Sequence, residues 1–211
     1  MKTSELIDLL VKDLRPEPTL NQLLAHASIA GTLIAGIAFF SQLGFRDDVG
    51  DAIGSGRFLF KFVVTSTLAA SSAAMFFRMG KPGVSLGTVR PMLLLSPALL
   101  IVAALLELSV TPTETWIARA VGQDALNCLT TIPLLSVGPL ACLLYGMRRG
   151  APGNPGIAGM IAGLAAAGIS ATFYASNGDE DSPLFVLLWY PIAVAIVALA
   201  GYLLGRRLLR W

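Results

Sequence analysis

Charge is scarce in this chain of 211 residues: only 13% are Asp, Glu, Lys or Arg, against 55% apolar, and the mean hydropathy is +0.73. A water-soluble domain of this length needs a more polar surface, so the composition excludes that class and indicates an integral membrane protein. Also missing are the constellations that carry chemistry. The chain has one histidine and two cysteines, with no metal-ligand Cys/His spacing and no Gly-rich phosphate loop after a strand. The expectation is therefore a protein that is not an enzyme, holds no cofactor and makes no direct contact with nucleic acid. Ionisable groups within the apolar stretches are few, which argues against a proton-coupled transporter. Those near their ends are His26, Lys61 and Glu107, and Lys61, one turn after Arg57, is expected to snorkel to the outer interface.

What is present in quantity is long apolar runs. A membrane span takes roughly 20 apolar residues, and six stretches qualify: Leu23 to Leu43, Phe58 to Phe77, Met92 to Leu108, Ala125 to Tyr145, Gly156 to Ala175 and Leu184 to Leu204. The expected fold is an all-α integral membrane protein with six transmembrane helices. It divides into a cytoplasmic amphipathic segment, residues 1–20, and a transmembrane domain, residues 21–211. The opening segment is too charged to serve as a cleavable signal, so the chain is expected to remain uncleaved.

Orientation follows from the basic residues, which are retained on the cytoplasmic side. Lys2, Lys12, Arg15, Arg78, Lys81, Arg90, Arg148, Arg149, Arg206, Arg207 and Arg210 fall on one side of a six-span chain. Arg46, Arg57, Lys61 and Arg119 fall on the other, with Asp47, Asp48, Asp51, Glu114 and Asp124. This split places both termini in the cytoplasm.

The stretch "SNGDEDSP" then faces outward, with three consecutive acids, Asp179, Glu180 and Asp181. Ser182 suits a helix N-cap and Pro183 the first helical position, and carboxylates beside that end favour the positive pole of the helix dipole. A competing reading makes the three carboxylates a sensor that holds a hard cation through oxygen ligands. The identity of any metal stays open.

Within the spans the sequence favours packing. Gly159, Gly163 and Ala167 recur every four residues, a pattern that lets a neighbouring helix approach closely. Pro133 and Pro139 in the fourth span and Pro191 in the sixth imply kinks. Cys128 and Cys142 lie on one helix, roughly 21 Å apart at 1.5 Å per residue, well beyond the reach of about 7 Å that a disulfide allows. Cys142 is expected to fill core space. Cys128, at the outward end of its span, is a candidate sensor as well as a packing residue.

The segment "MKTSELIDLLVKDLRPEP" is the longest soluble stretch. On a helical wheel Leu6, Ile7, Leu10, Val11 and Leu14 form one apolar stripe, with Glu5, Asp8 and Lys12 opposite. Thr3 or Ser4 can cap its start, and Pro16 with Pro18 ends it. A helix of about three turns is marginal alone in water and needs a surface. Its four acids suit an anionic leaflet poorly, so a groove on a protein partner fits at least as well.

Four stretches, "MKTSELIDLLVKDL", "RFLFKFVVTSTLA", "MRRGAPGNPGIAGMIAGLAAAG" and "EDSPLFVLLWY" with the closing "LLRW", resemble the NrsF-type membrane anti-sigma factors of proteobacteria. The resemblance implies a six-span protein of the bacterial inner membrane. Such a protein would hold an extracytoplasmic-function sigma factor through its N-terminal segment and release it on heavy-metal or oxidative stress. It also implies two outward-side cysteines. Cys128 matches the first, but Gly178 stands at the second and Asn177 at its histidine neighbour. A disulfide or two-cysteine metal clamp within one chain is thereby excluded. The competing function class is a small transporter or channel, which would show polar groups facing each other at mid-depth or a related pair of broken spans. A homo-oligomer stays open.

Overall fold

The computed structural model describes residues 18–81, 87, 89 and 91–210. The stripe Leu6, Ile7, Leu10, Val11 and Leu14 lies outside the described residues, as does Arg90. The rest is helical: α1 (Leu20–Gln42), the short α2 (Val49–Ala52), α3 (Gly56–Met79), α4 (Leu95–Val110), the short α5 (Trp116–Val121), α6 (Ala125–Met147), α7 (Pro155–Ala175) and α8 (Pro183–Leu208). A 3₁₀ turn, Pro91–Leu94, leads into α4, and another, Thr113–Thr115, precedes α5.

Six of these are long and apolar enough to cross a membrane: α1, α3, α4 with its 3₁₀ turn, α6, α7 and α8. At 1.5 Å per residue, α1 and α6 are each about 34 Å long, slightly more than a hydrocarbon layer of about 30 Å. Large apolar side chains cover the outside of the bundle, among them Leu33, Ile37, Leu105, Leu134 and Leu199, each more than half exposed. Such a belt suits lipid better than water.

Local chemistry sets where the helices begin. Thr19 and Gln22 form a reciprocal capping box at α1. Ser55 caps α3 and Asn154 caps α7, the latter with Pro155 in the first turn. Ser182 caps α8 and is followed by Pro183.

The helix α7 sits at the centre, against α3, α6, α8 and α1. Its small residues let the neighbours close in. A Cβ built on Gly159 would lie 2.7 Å from the Gly205 Cα of α8, and one on Gly163 would lie 2.6 Å from the Val197 carbonyl oxygen. Gly168 does the same toward Ala69 of α3, and Ala167 is fully buried. On the far side of α6, the Cα of the helix-interior Pro139 packs against Gly31 of α1.

Candidate functional site

At one end of the bundle three connections meet: residues 43–55 between α1 and α3, residues 111–124 between α4 and α6, and residues 176–182 between α7 and α8. Every acidic side chain among the described residues lies at this end. The basic residues found there are Arg46, Arg57, Lys61 and Arg119, and each is bound to an acid.

Lys61 is one turn into α3 and only 1% exposed. Its ammonium lies 2.6 Å from Asp181 Oδ1 and donates to the carbonyl oxygens of Gly178 at 2.9 Å and Glu180 at 3.4 Å. An ammonium carries three donors, so all are used without water. The expectation that Lys61 snorkels outward is thus corrected: the 176–182 loop folds over it and brings the acceptors to the amine. Its ammonium also lies 5.3 Å from the Phe58 ring centroid.

Arg46 extends the cluster. Its Nη1 donates to Asp181 Oδ2 at 3.1 Å and to the Gly178 carbonyl at 3.4 Å, while Nη2 donates to Asp48 Oδ2 at 2.7 Å. The Asp48 contact, with a second donor from Nε, holds the Arg46 guanidinium well above its ordinary pKa and the Asp48 carboxyl below its own. Two further bonds fix the same loops, the Arg46 backbone N–H donating to the Ser176 carbonyl at 3.3 Å and the Asn177 side-chain Nδ2 to the Gly44 carbonyl at 3.2 Å.

A second centre lies beside the first. Glu107, on α4 and 4% exposed, accepts at Oε1 from Arg119 at 3.0 Å and from the Ser182 hydroxyl at 3.3 Å, with Arg57 at 3.6 Å. Its other oxygen, Oε2, has no hydrogen-bond partner among the described residues. Ser182 adjoins Asp181, so the two centres share one loop.

The three acids of that loop diverge. Asp179 lies 3.6 Å from Arg46, the Glu180 carboxylate accepts the Gln123 N–H at 3.0 Å, and Asp181 takes Lys61 and Arg46. In this arrangement the three carboxylates do not converge on one point, since each is turned toward a cation or a backbone amide of the protein. Among the described residues no group of three His, Cys, Asp or Glu is placed to hold a metal.

Cys128 lies under this layer, in the first turn of α6, and is fully buried among Ile132, Tyr174, Phe185, Val186 and Tyr190. Gly178, by contrast, is part of the ionic layer through its carbonyl. The connection before α6 is pinned to α8 by Trp189, whose indole donates to the carbonyls of Ala120 and Val121. Gly122 turns there at φ +58, and a Cβ would lie 2.6 Å from the Phe185 ring, so only glycine fits.

Reading the sequence placed Arg46, Lys61, Arg57, Arg119 and Glu107 near one face without pairing them. The signal available is their shared side: four cations at the same end of the chain's spans as the acids.

The family model described as negative regulator of sigma F, NrsF, matches residues 10–211. The chain belongs to this family. It is 30% identical over 217 residues to the anti-sigma-F factor NrsF of Caulobacter vibrioides, and 32% identical over 215 residues to the probable anti-sigma-F factor NrsF of Azospira oryzae. In both cases all of each chain is covered. No solved structure matches. The NrsF family is regulatory.

Proposed function

We propose that this chain is an anti-sigma factor of the bacterial inner membrane. It sequesters an extracytoplasmic-function sigma factor through its cytoplasmic N-terminal segment and releases it on metal or oxidative stress. The observation that carries the reading is the end-to-end similarity to two relatives named as anti-sigma-F factors. The charge distribution supports the orientation. Arg78, Lys81, Arg148, Arg149, Arg206, Arg207 and Arg210 lie at the end opposite the acids, where the positive-inside bias puts the cytoplasm. The buried charges gather at one end rather than facing each other at mid-depth, which favours this reading over a transporter. On the other face the loops over Cys128 form the sensing layer, with Cys128, Asp179, Glu180 and Asp181 as its candidate residues.

The test is affinity purification of the full chain from its native membrane before and after stress. A sigma factor recovered in the resting sample and depleted after stress supports the reading. Recovery of none under either condition overturns it.

A further inference from the structure

The cytoplasm-proposed end carries two grooves that flank the last turns of α6 and share Tyr145 and Arg148. One, of about 560 Å³ between α1 and α6, is lined by His26, Cys142, Tyr145, Arg148 and Arg149. The other, of about 500 Å³ between α6 and α8, is almost wholly apolar and runs from Arg148 past Leu144, Ala141 and Ala200 to Pro133. That run along α6 is about 22 Å, more than the roughly 15 Å of one leaflet's hydrocarbon.

We propose that these grooves form a binding site for one anionic phospholipid, its phosphate at Arg148 and Arg149 and one acyl chain in the α6–α8 groove. Three observations identify the ligand. Both arginines are exposed and form no ion pair among the described residues, unlike Arg46, Arg57, Lys61 and Arg119 at the other end. No acidic side chain among the described residues lies at this end to compete for them. The ring of Tyr145, 76% exposed, stands where the basic groove becomes the apolar one, the position an amphipathic ring takes at a headgroup boundary. A soluble anion would use the basic groove alone and leave the apolar one unexplained. Basic pockets between helices at the cytoplasmic face suit lipid phosphates, and each arginine near the surface adds to the attraction. The site rests on the helices lying in a bilayer and not on capture of a sigma factor.

The experiment places a photoreactive benzophenone residue at position 145 of the full chain, in vesicles of equal phosphatidylglycerol and phosphatidylcholine. Adducts are weighed by mass spectrometry. Phosphatidylglycerol adducts are expected to exceed phosphatidylcholine adducts by roughly tenfold. The same probe at Leu126, at the opposite end of α6, should give the bulk ratio. Arg148→Gln with Arg149→Gln should return position 145 to the bulk ratio. Ala200→Trp, which fills the apolar groove and leaves both arginines, should lower the phosphatidylglycerol excess. The proposal is overturned by a bulk ratio at position 145, by an excess that the arginine variant leaves intact, or by an excess indifferent to Ala200→Trp. Adducts mainly to residues 1–17 or to a second copy of the chain would likewise replace the lipid with a protein occupant.

Discussion

The Lys61 ammonium and the Asp181 carboxylate lie 2.6 Å apart, one 1% and the other 22% exposed. Lys61 therefore depends on Asp181 more than Asp181 depends on it, because Asp181 also has Arg46 at 3.1 Å. Leaving a buried charge unpaired is costly, so Asp181→Asn is expected to lower stability by about 2 to 4 kcal/mol. Adding Lys61→Met to that variant should recover part of the loss. Thermal unfolding of the purified variants measures both, and the double change proving worse than the sum of the singles would contradict the pairing.

The proposed orientation, with the ionic layer on the outer face, makes a separate prediction. A reporter enzyme active only in the cytoplasm should work when fused after Met79 or Arg149 and stay silent after Asp48, Gln123 or Gly178, because these positions alternate across the six helices. Activity after Gly178 would turn the whole protein over and put the acids inside.

Much of this was legible in the residues and some was not, for identifiable physical reasons. The six helices announce themselves because apolar length alone decides who can cross a bilayer, and Ser182–Pro183 marks a helix start by local chemistry. The Gly159 and Gly163 pattern is legible for the same reason, being periodic along one helix, although the facing glycines on α8 are not named by it. The pairs Lys61–Asp181 and Glu107–Arg119 join residues distant in sequence. Spacing carries no information about which loops meet, so the sequence sets Lys61 at the outer interface without naming its carboxylate. What covers Cys128 is not legible either, since the cover comes from Tyr174, Phe185 and Tyr190 on other helices.

That cover has a measurable consequence. A membrane-impermeant thiol reagent needs an exposed thiolate, and Cys128 is fully buried, so labelling in the resting protein should be slow. Asp181→Asn loosens the loop above and should speed labelling at least several-fold while Cys142 stays unchanged. If Cys128 also senses stress, Cys128→Ser should block partner release with resting capture intact. Equal labelling of Cys128 in both proteins would detach it from the ionic layer.

The α7–α8 contact is a backbone-to-backbone approach, and it sets how small residue 163 must be. A Cβ there falls 2.6 Å from the Val197 oxygen and 2.8 Å from the Ala198 Cα, both backbone atoms that no rotamer can move aside. Gly163→Ala is therefore expected to cost about 1 to 3 kcal/mol, and Gly163→Leu to prevent assembly of the bundle. Gly153, whose surroundings are open, is the control: Gly153→Ala should unfold at the temperature of the parent protein.

The last prediction concerns the segment proposed to hold the sigma factor. Its apolar stripe, Leu6, Ile7, Leu10, Val11 and Leu14, needs burial to be worth forming, and each large side chain buried in a groove contributes on the order of 1 to 3 kcal/mol. Ile7→Asp with Leu10→Asp removes two anchors and brings two carboxylates into an apolar contact, which should abolish capture. The six long helices begin at Leu20, so the variant should insert at normal abundance. The measurement is transcription from the sigma factor's target promoters in cells carrying that variant: constitutive activity is expected. If the promoters stay silent while the variant still co-purifies with the sigma factor, the tether lies elsewhere. The basic loop that carries Arg78 and Lys81 is then the next place to mutate.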